Sequence, residues 1–242
     1  MEGINIWNMY NIYRKKIIIL FIACLGLNSS FGQGKNNQFY DYGRWIHFGF
    51  TVGTNFSGLS YDFSNTWYNQ KIIHGVSIDD VPGITIGAVS DLHMGEFFHL
   101  RFIPSLILTQ RNVHYNTTGD TVAAKQVESA IVEFPLLLKF CSERHNNIAF
   151  YVIGGGKFGW DLSSDYKAVK NPINPKIALI PQNYSYEFGA GLDMYYPLFK
   201  FSPEIKISRG LNNVLFNDKT IYTNIFSRFR SNFIFISFYF EG

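Results

Sequence analysis

The sequence ESAIVEFPLLLKF, residues 128–140, alternates along most of its length between apolar and polar side chains. The apolar series is Ala130, Val132, Phe134, Leu136, Leu138 and Phe140, and the interleaved series contains Ser129, Glu133 and Lys139. Because successive side chains of a β-strand point to opposite faces, this period of two predicts a strand whose faces meet different surroundings. About ten alternating residues is also the length that a tilted strand needs to cross a membrane.

Seven other segments alternate in the same way, some of them more weakly. They are residues 46–56, 84–90, 98–111, 148–162, 184–194, 201–208 and 229–240. After residue 32, no stretch approaches the roughly 18 consecutive apolar residues that a transmembrane helix requires. The sequence therefore predicts an all-β fold, an eight-stranded antiparallel up-and-down transmembrane β-barrel.

The connections between the predicted strands alternate in length. The long ones are residues 57–82, 115–125, 163–183 and 211–227, and the short ones are residues 91–95, 141–147 and 197–198. Short turns on one side and long loops on the other are typical of outer-membrane barrels, in which the short turns face the periplasm. With eight strands, both termini are then expected in the periplasm.

The composition favours a barrel with its apolar face outside. Aromatic residues make up 18% of the chain and charged residues only 16%, which is unlike a soluble enzyme or a disordered chain. The alternative is a soluble, lipocalin-like barrel with its apolar face inside. Large apolar residues on one face and glycine, serine and charges on the other favour the membrane barrel. Rings near the strand ends would form its aromatic girdles: Tyr42, Trp45, Phe97, Trp160, Tyr195, Tyr196, Phe199, Tyr239 and Phe240.

Charges of both signs fall on the polar faces of these strands. They are Arg101, Glu133, Lys139, Lys157, Asp161, Glu187, Asp193, Lys200, Glu204 and Lys206. The interior of an eight-stranded barrel is only just wide enough for its own side chains, so we expect the charges to pair as an ionic plug rather than to line a channel. The net charge of +3 is small and scattered, and nucleic acid is not expected as a partner.

The first 32 residues are expected to be a signal peptide. Arg14, Lys15 and Lys16 precede an apolar run over residues 17–27, and Gly32 is a small residue suited to cleavage before Gln33. Either Met1 or Met9 is the start, and lipidation at Cys24 is an alternative to cleavage after Gly32. Residues 33–43 would then be a short periplasmic segment and residues 44–242 the barrel, with Cys141 as its only cysteine.

The sequence does not indicate an enzyme, a cofactor, a metal site or a small-molecule substrate. Lipid A deacylases place a serine, a histidine and an acid on similar barrels, so the six histidines are relevant: His47, His74, His93, His99, His114 and His145. No serine lies in a recognisable nucleophile motif. His93, Glu96 and His99 straddle a turn, but their spacing is not specific for a metal.

The strand Val132, Glu133, Phe134, Pro135, Leu136, Leu137, Leu138 and Lys139 resembles a recurrent strand of outer-membrane barrels from Bacteroidetes. Residues 151–159 and 187–193 are similar to the next two strands of that superfamily. Length, loop pattern and aromatic C-terminal strand most resemble the PorT/SprT family, although Glu241 and Gly242 follow the last aromatic residue. The resemblance implies a non-enzymatic outer-membrane component of type IX protein secretion and gliding, with other secretion proteins and membrane lipid as partners. The alternative is a structural or adhesive small barrel, or a minor porin, unrelated to secretion.

Overall fold

Antiparallel β-strands make up most of the computed structural model, which describes residues 45–64, 73–117, 122–164, 179–216 and 221–242. Its elements are β1 (Ile46–Phe63), β2 (Ile73–Asp80), β3 (Pro82–His93), β4 (Phe98–Phe102), β5 (Ser105–Thr117), β6 (Val122–Cys141), β7 (Ile148–Asp161), β8 (Gln182–Tyr195), β9 (Lys200–Gly210), the one-turn helix α1 (Ile221–Asn224) and β10 (Phe226–Glu241). No helix among the described residues is long and apolar enough to span a membrane.

The strands close into a ring of eight. β1 pairs with β3 on one side and with β10 on the other. β3 pairs with both β4 and β5, β2 pairs with β5, and β4 and β5 both pair with β6, after which β6 to β10 pair in chain order. β2 and β3 are separated only by Val81, and β4 and β5 only by Ile103 and Pro104, so each pair occupies one place in the ring. The predicted eight-stranded antiparallel up-and-down barrel is confirmed.

Pro135 lies opposite the break between β4 and β5. Its carbonyl oxygen accepts a hydrogen bond of 3.2 Å from the backbone N–H of Ile103. In an antiparallel ladder the N–H and C=O of one residue face the same neighbour, so the N–H that proline lacks faces this break. A proline is therefore tolerated within β6. If the neighbouring strand were unbroken at this point, the proline would leave one of its backbone carbonyl groups without a ladder hydrogen bond.

The two faces of the strands differ as the alternation predicts. On β6, Phe134, Leu136 and Leu138 point outward and are exposed, whereas Glu133 and Lys139 point into the barrel and are buried. The same division holds on β4 and β5, where Phe98 is exposed and Arg101 buried. Because the outward side chains are apolar and the buried ones largely polar, the barrel is inside-out relative to a soluble one.

The closing strand β10 departs from this rule. Phe229, Phe233, Phe235 and Tyr239 point inward and are buried, so the assignment of Tyr239 to an aromatic girdle is wrong. Cations that β4, β5, β7 and β9 place in the lumen lie within cation–π range of Phe233, Phe235 and Tyr239, which explains why these rings lie inside. Of the other predicted girdle rings, Tyr42 lies outside the described residues and four are exposed: Trp45, Trp160, Tyr196 and Phe199.

Several predicted boundaries are wrong because the strands extend further than their apolar alternation. Asp91, placed in a turn by the sequence, lies within β3, and the turn is residues 94–97. The predicted loop 115–125 is largely strand, since β5 continues to Thr117 and β6 begins at Val122. β1 likewise continues to Phe63. Beyond the hydrocarbon the outward face need not be apolar, so the alternation ends while backbone pairing continues.

The two ends of the barrel differ. Residues 94–97, 142–147 and 196–199 connect strands at one end, hereafter the turn side, and both Trp45 and Gly242 lie there through hydrogen bonds to His93 and Phe48. The opposite end, the loop side, carries the longer connections 64–72, 162–181 and 211–225, together with the short connection 118–121. The predicted signal peptide with its cleavage between Gly32 and Gln33, and the predicted segment 33–43, lie outside the described residues.

Leu136 provides a test of the face assignment. It lies near the middle of the outward apolar series from Ala130 to Phe140 on β6 and is 51% exposed, so Leu136→Arg places a charge in mid-hydrocarbon. We expect a loss of about 2–4 kcal/mol in the free energy of unfolding, measured by urea titration in phospholipid vesicles. Glu143→Arg, in the exposed turn 142–147, should change it by less than about 1 kcal/mol. Equal losses for the two variants would contradict the assignment.

Candidate functional site

The ten charged residues predicted for the lumen are all buried, with at most 8% of each exposed. They lie on the inward faces of five neighbouring strands: Arg101 on β4, Glu133 and Lys139 on β6, Lys157 and Asp161 on β7, Glu187 and Asp193 on β8, and Lys200, Glu204 and Lys206 on β9. The structure divides them into two clusters and one separate residue, and it adds partners that the sequence did not indicate.

The turn-side cluster consists of Asp91, Arg101, Lys139, Asp193, Lys200, Glu204 and Glu241. At its centre, the Arg101 guanidinium is 0% exposed and contacts three carboxylates. Its Nη2 is 2.9 Å from Asp91 Oδ2 and 2.8 Å from Glu241 Oε1, and its Nη1 is 3.3 Å from Glu204 Oε2. Because β4 and β9 lie four places apart in the ring of eight, the pair with Glu204 crosses the lumen.

Two lysines add further ion pairs to this cluster. Lys139 Nζ lies 2.6 Å from Asp193 Oδ2, and Lys200 Nζ lies 2.8 Å from Glu241 Oε2. Both are also within 4.0 Å of Asp91 Oδ2. Three cations thus face four carboxylates, which satisfies the requirement that buried charges be paired.

Two tyrosines, one on β7 and one on β10, donate to the same carboxylate, Glu204 of β9. The hydroxyl groups of Tyr151 and Tyr239 donate to Glu204 Oε2 and Oε1 at 2.9 and 2.8 Å. Their ring centroids lie 5.4 and 5.0 Å from Arg101 Cζ, within cation–π range. Tyr151 fits because Gly191 has no side chain, since a Cβ there would meet the phenol oxygen and Cζ of Tyr151.

The loop-side cluster consists of Glu133, Lys157, Glu187 and Lys206. Lys157 Nζ lies 2.8 Å from Glu133 Oε2 and 2.9 Å from Glu187 Oε1, and Lys206 Nζ lies 3.0 Å from Glu187 Oε2. The Phe235 ring centroid is 4.9 Å from Lys157 Nζ and 5.2 Å from Lys206 Nζ. Two cations and two carboxylates balance here.

Asp161 belongs to neither cluster. Its Oδ1 accepts a 3.0 Å hydrogen bond from the backbone N–H of Ser163, near the loop-side end of β7. Arg111, which the sequence placed on the polar face but not in the network, lies in the same part of the barrel. It donates to Ser57 Oγ at 2.6 Å and to Ser231 Oγ at 3.0 Å.

Apolar side chains occupy the lumen between and beside the charges. One buried group contains Val89, Ile103, Leu137, Cys141, Tyr151, Ile153 and Tyr239, and another contains Ile107, Ile131, Phe233 and Phe235. Buried charges and buried apolar groups together fill the interior over much of its length. Such an arrangement favours a closed barrel, because water and ions would have to displace packed side chains to pass.

The histidines nearest the turn side form a short stack. His99 Nδ1 lies 2.9 Å from Asp91 Oδ1, the His93 and His99 ring centroids are 4.1 Å apart, and those of His47 and His93 are 4.9 Å apart. Asp91 and His99 form an acid–histidine pair. A catalytic triad would also need a serine or cysteine that hydrogen bonds to His99. Within the described ranges, neither residue type hydrogen bonds to His99, and no group of three histidine, cysteine or acidic side chains is placed to hold a metal.

Asp91 and Glu241 are the network members that sequence reasoning missed. Asp91 was assigned to a turn, although it continues the inward series of Thr85 and Val89. Glu241 follows the last aromatic residue and was regarded as an irregular end, although it continues the inward series of Ser237 and Tyr239. Every second residue of a strand faces the lumen. Continuing this inward series by two residues beyond Val89 and Tyr239 would have identified both Asp91 and Glu241.

Comparison with known proteins gives a family and two similar structures. Residues 31–215 match the family model described as outer membrane protein beta-barrel domain. The outer membrane protein OprG from Pseudomonas aeruginosa is similar over 81% of this chain and 94% of its own, at 12% identity and a TM-score of 0.45. Ail, the attachment invasion locus protein of Yersinia pestis, is similar over 82% of this chain and 100% of its own, at 8% identity and a TM-score of 0.37. No curated protein sequence matches significantly.

Arg101 is the residue whose loss should damage the turn-side cluster most. Arg101→Leu leaves Asp91, Glu204 and Glu241 facing one another without their shared cation, and we expect a loss of about 3–5 kcal/mol in unfolding free energy. Urea unfolding of the purified protein in detergent micelles measures it. Arg144→Leu is the control, because Arg144 lies in a surface turn and its interactions are worth at most about 1 kcal/mol. A loss below 1 kcal/mol for Arg101→Leu would show that the network is not structurally required.

Proposed function

The chain belongs to the outer membrane protein β-barrel domain family, and we propose that within it this protein is a non-enzymatic subunit or accessory factor of the type IX secretion and gliding machinery. Its place is the outer membrane, as for the family. The observation that carries the non-enzymatic, non-conducting part of the proposal is the filled lumen with its paired charges. A barrel closed in this way acts through the surfaces that it presents to partners.

The secretion role is supported by the resemblance of the chain's length, loop pattern and aromatic C-terminal strand to the PorT/SprT family. The strand Val132–Lys139 resembles the wider superfamily of outer-membrane barrels. Other small barrels share this motif, so a structural or adhesive barrel or a minor porin is the competing function. Deletion of the gene distinguishes these two functions. If the protein serves type IX secretion, proteins with C-terminal sorting domains need it for export. If it is a structural or adhesive barrel or a minor porin, they do not.

We further propose that the turn side faces the periplasm and the loop side the exterior. Short connections at the turn side support this orientation. Both described chain ends lie at that side as well, through the bonds of Trp45 and Gly242. Partners that deliver secretion substrates would then meet residues 94–97, 142–147 and 196–199.

Deletion of the gene should trap proteins with C-terminal sorting domains in the periplasm. Their distribution between periplasm and medium is measured by fractionation and mass spectrometry, and the wild-type gene should restore it. Two complementing variants locate the contact surface. Leu198→Asp alters a turn-side leucine that is 88% exposed and should restore secretion poorly, whereas Leu211→Asp, at an exposed loop-side leucine, should restore it. Normal secretion in the deletion strain would refute the secretion role.

The filled lumen predicts that the purified barrel does not conduct ions. Planar lipid bilayers into which the protein has inserted should show no steady current steps, because side chains occupy the path that ions would take. Insertion is verified by protease protection of the same preparation in vesicles. Reproducible conductance steps from inserted protein would contradict the closed barrel and favour the minor-porin function.

A further inference from the structure

The outer face of the barrel carries three arginines in one place on the loop side. Arg209 lies on β9, and Arg228 and Arg230 lie on β10, all at outward positions. Arg209 and Arg228 are exposed and Arg230 is half-buried. Arg209 pairs in register with Asn232, so Arg230 is its diagonal neighbour, with Cα atoms about 7–8 Å apart. Two guanidinium groups can therefore reach the same ligand.

The guanidinium groups of this patch have no ion-pair partner among the described residues. Asp62 of β1 is opposite Arg228 in register and is the nearest acidic residue along the ladder. No carboxylate within the part of the chain that the structure describes forms an ion pair with any of the three guanidinium groups. This contrasts with the lumen, where every lysine of the two clusters has a carboxylate within 3.0 Å.

A groove of about 410 Å³ lies beside Arg209 on the same face. Its apolar part is formed by Phe56, Ile207 and Ile234, which stand in one row across β1, β10 and β9. The next row toward the loop side is Gly58, Asn232 and Arg209. Because Gly58 has no side chain, the groove opens between an apolar row and a basic one.

This boundary lies at the height of a membrane interface. Arg230 precedes Phe240, an aromatic residue near the turn side, by ten positions on β10. Ten residues span about 33 Å along a strand, or about 25 Å along the axis of a barrel whose strands tilt by about 40°. The outward positions between them include Ile234, Ile236 and Phe238. The arginines therefore begin where the apolar band of an outer-membrane barrel ends.

We propose that this arginine groove binds a phosphorylated glycolipid of the outer leaflet, of the lipid A type. Guanidinium groups bind phosphate oxygens through paired, charge-assisted hydrogen bonds, and Arg209 with Arg230 would hold one headgroup phosphate. The row of Phe56, Ile207 and Ile234 would contact the first part of an acyl chain. The choice of the outer leaflet rests on the orientation proposed above, whereas the choice of a phosphorylated lipid rests on the charge and the groove.

Another part of the outer face, on β3, β5 and β6, offers an internal comparison. A second groove of about 400 Å³ near the loop side is lined by Pro82, Ile84 and Leu108 together with Gln110 and Glu128. It has a similar volume and a similar apolar part, but its polar rim is neutral and acidic. Volume and apolar lining alone therefore do not distinguish the two grooves, and the arginines do.

The test is binding of diphosphorylated lipid A to the purified barrel in detergent micelles, counted by native mass spectrometry. Each of Arg209→Gln and Arg230→Gln should weaken binding about tenfold, because each removes a charge-assisted hydrogen bond. Arg144→Gln, on the turn side, should leave it unchanged. Heat-dependent gel mobility and circular dichroism confirm that each variant retains the barrel.

Three further ligands decide which source of phosphate the groove recognises. Dephosphorylated lipid A, phosphatidylglycerol and inorganic phosphate should each bind at least tenfold more weakly than diphosphorylated lipid A. Equal binding of dephosphorylated lipid A would refute the phosphate contact, equal binding of phosphatidylglycerol would refute the glycolipid, and displacement by inorganic phosphate at equal concentration would refute a lipid site. The purified system contains no secretion protein, so failure of the secretion role would leave these results unaltered.

Discussion

The pairing of charges inside a lumen too narrow for bulk water is the constraint on which the other features of this barrel depend. Arg101 illustrates it, because its guanidinium joins carboxylates from β3, β9 and β10 and so links opposite sides of the ring. A buried ion pair is not in itself strongly stabilising, since desolvation offsets much of the attraction. Its effect here is on register. A slip of one residue would turn every inward charge toward the lipid, at about 2–4 kcal/mol for each arginine or lysine near the midplane.

The same constraint accounts for the unusual closing strand. β10 places phenylalanines and Tyr239 inside, where rings lie against the cations of β4, β7 and β9. Tyr239 then supplies the hydroxyl that one oxygen of Glu204 accepts, and Glu241 supplies a carboxylate to both Arg101 and Lys200. The C-terminal strand thus carries both the rings and the counter-charge that the other strands need. The strand that closes the barrel against β1 also completes its charge network.

Features that depend on the two-residue alternation of apolar and polar side chains were predicted correctly from the sequence. Predictions were wrong where this alternation ends although the strand continues. The eight-stranded ring and the outward apolar residues followed from alternation, because a membrane imposes an apolar outer face on every strand that crosses it. Asp91 and the residues 115–125 were misassigned because outside the hydrocarbon the outer face is free to be polar while the ladder continues. Which charges pair across the lumen, as Arg101 does with Glu204, depends on ring closure and shear, and no local pattern contains that information.

The motif strand shows why fold is easier to infer than function in this family. Glu133 and Lys139 each serve a different internal cluster, Pro135 sits at the break between β4 and β5, and Leu136 and Leu138 face the lipid. Every part of the motif is therefore used to build the barrel, and none is left over to contact a partner. Residues that give one small barrel a function different from another must therefore lie at positions that are not required for the fold. On this chain those positions are the connections at both ends and the parts of the outer face that depart from an apolar surface. The arginines of β9 and β10 are such a part, and they form no ion pair with the described residues.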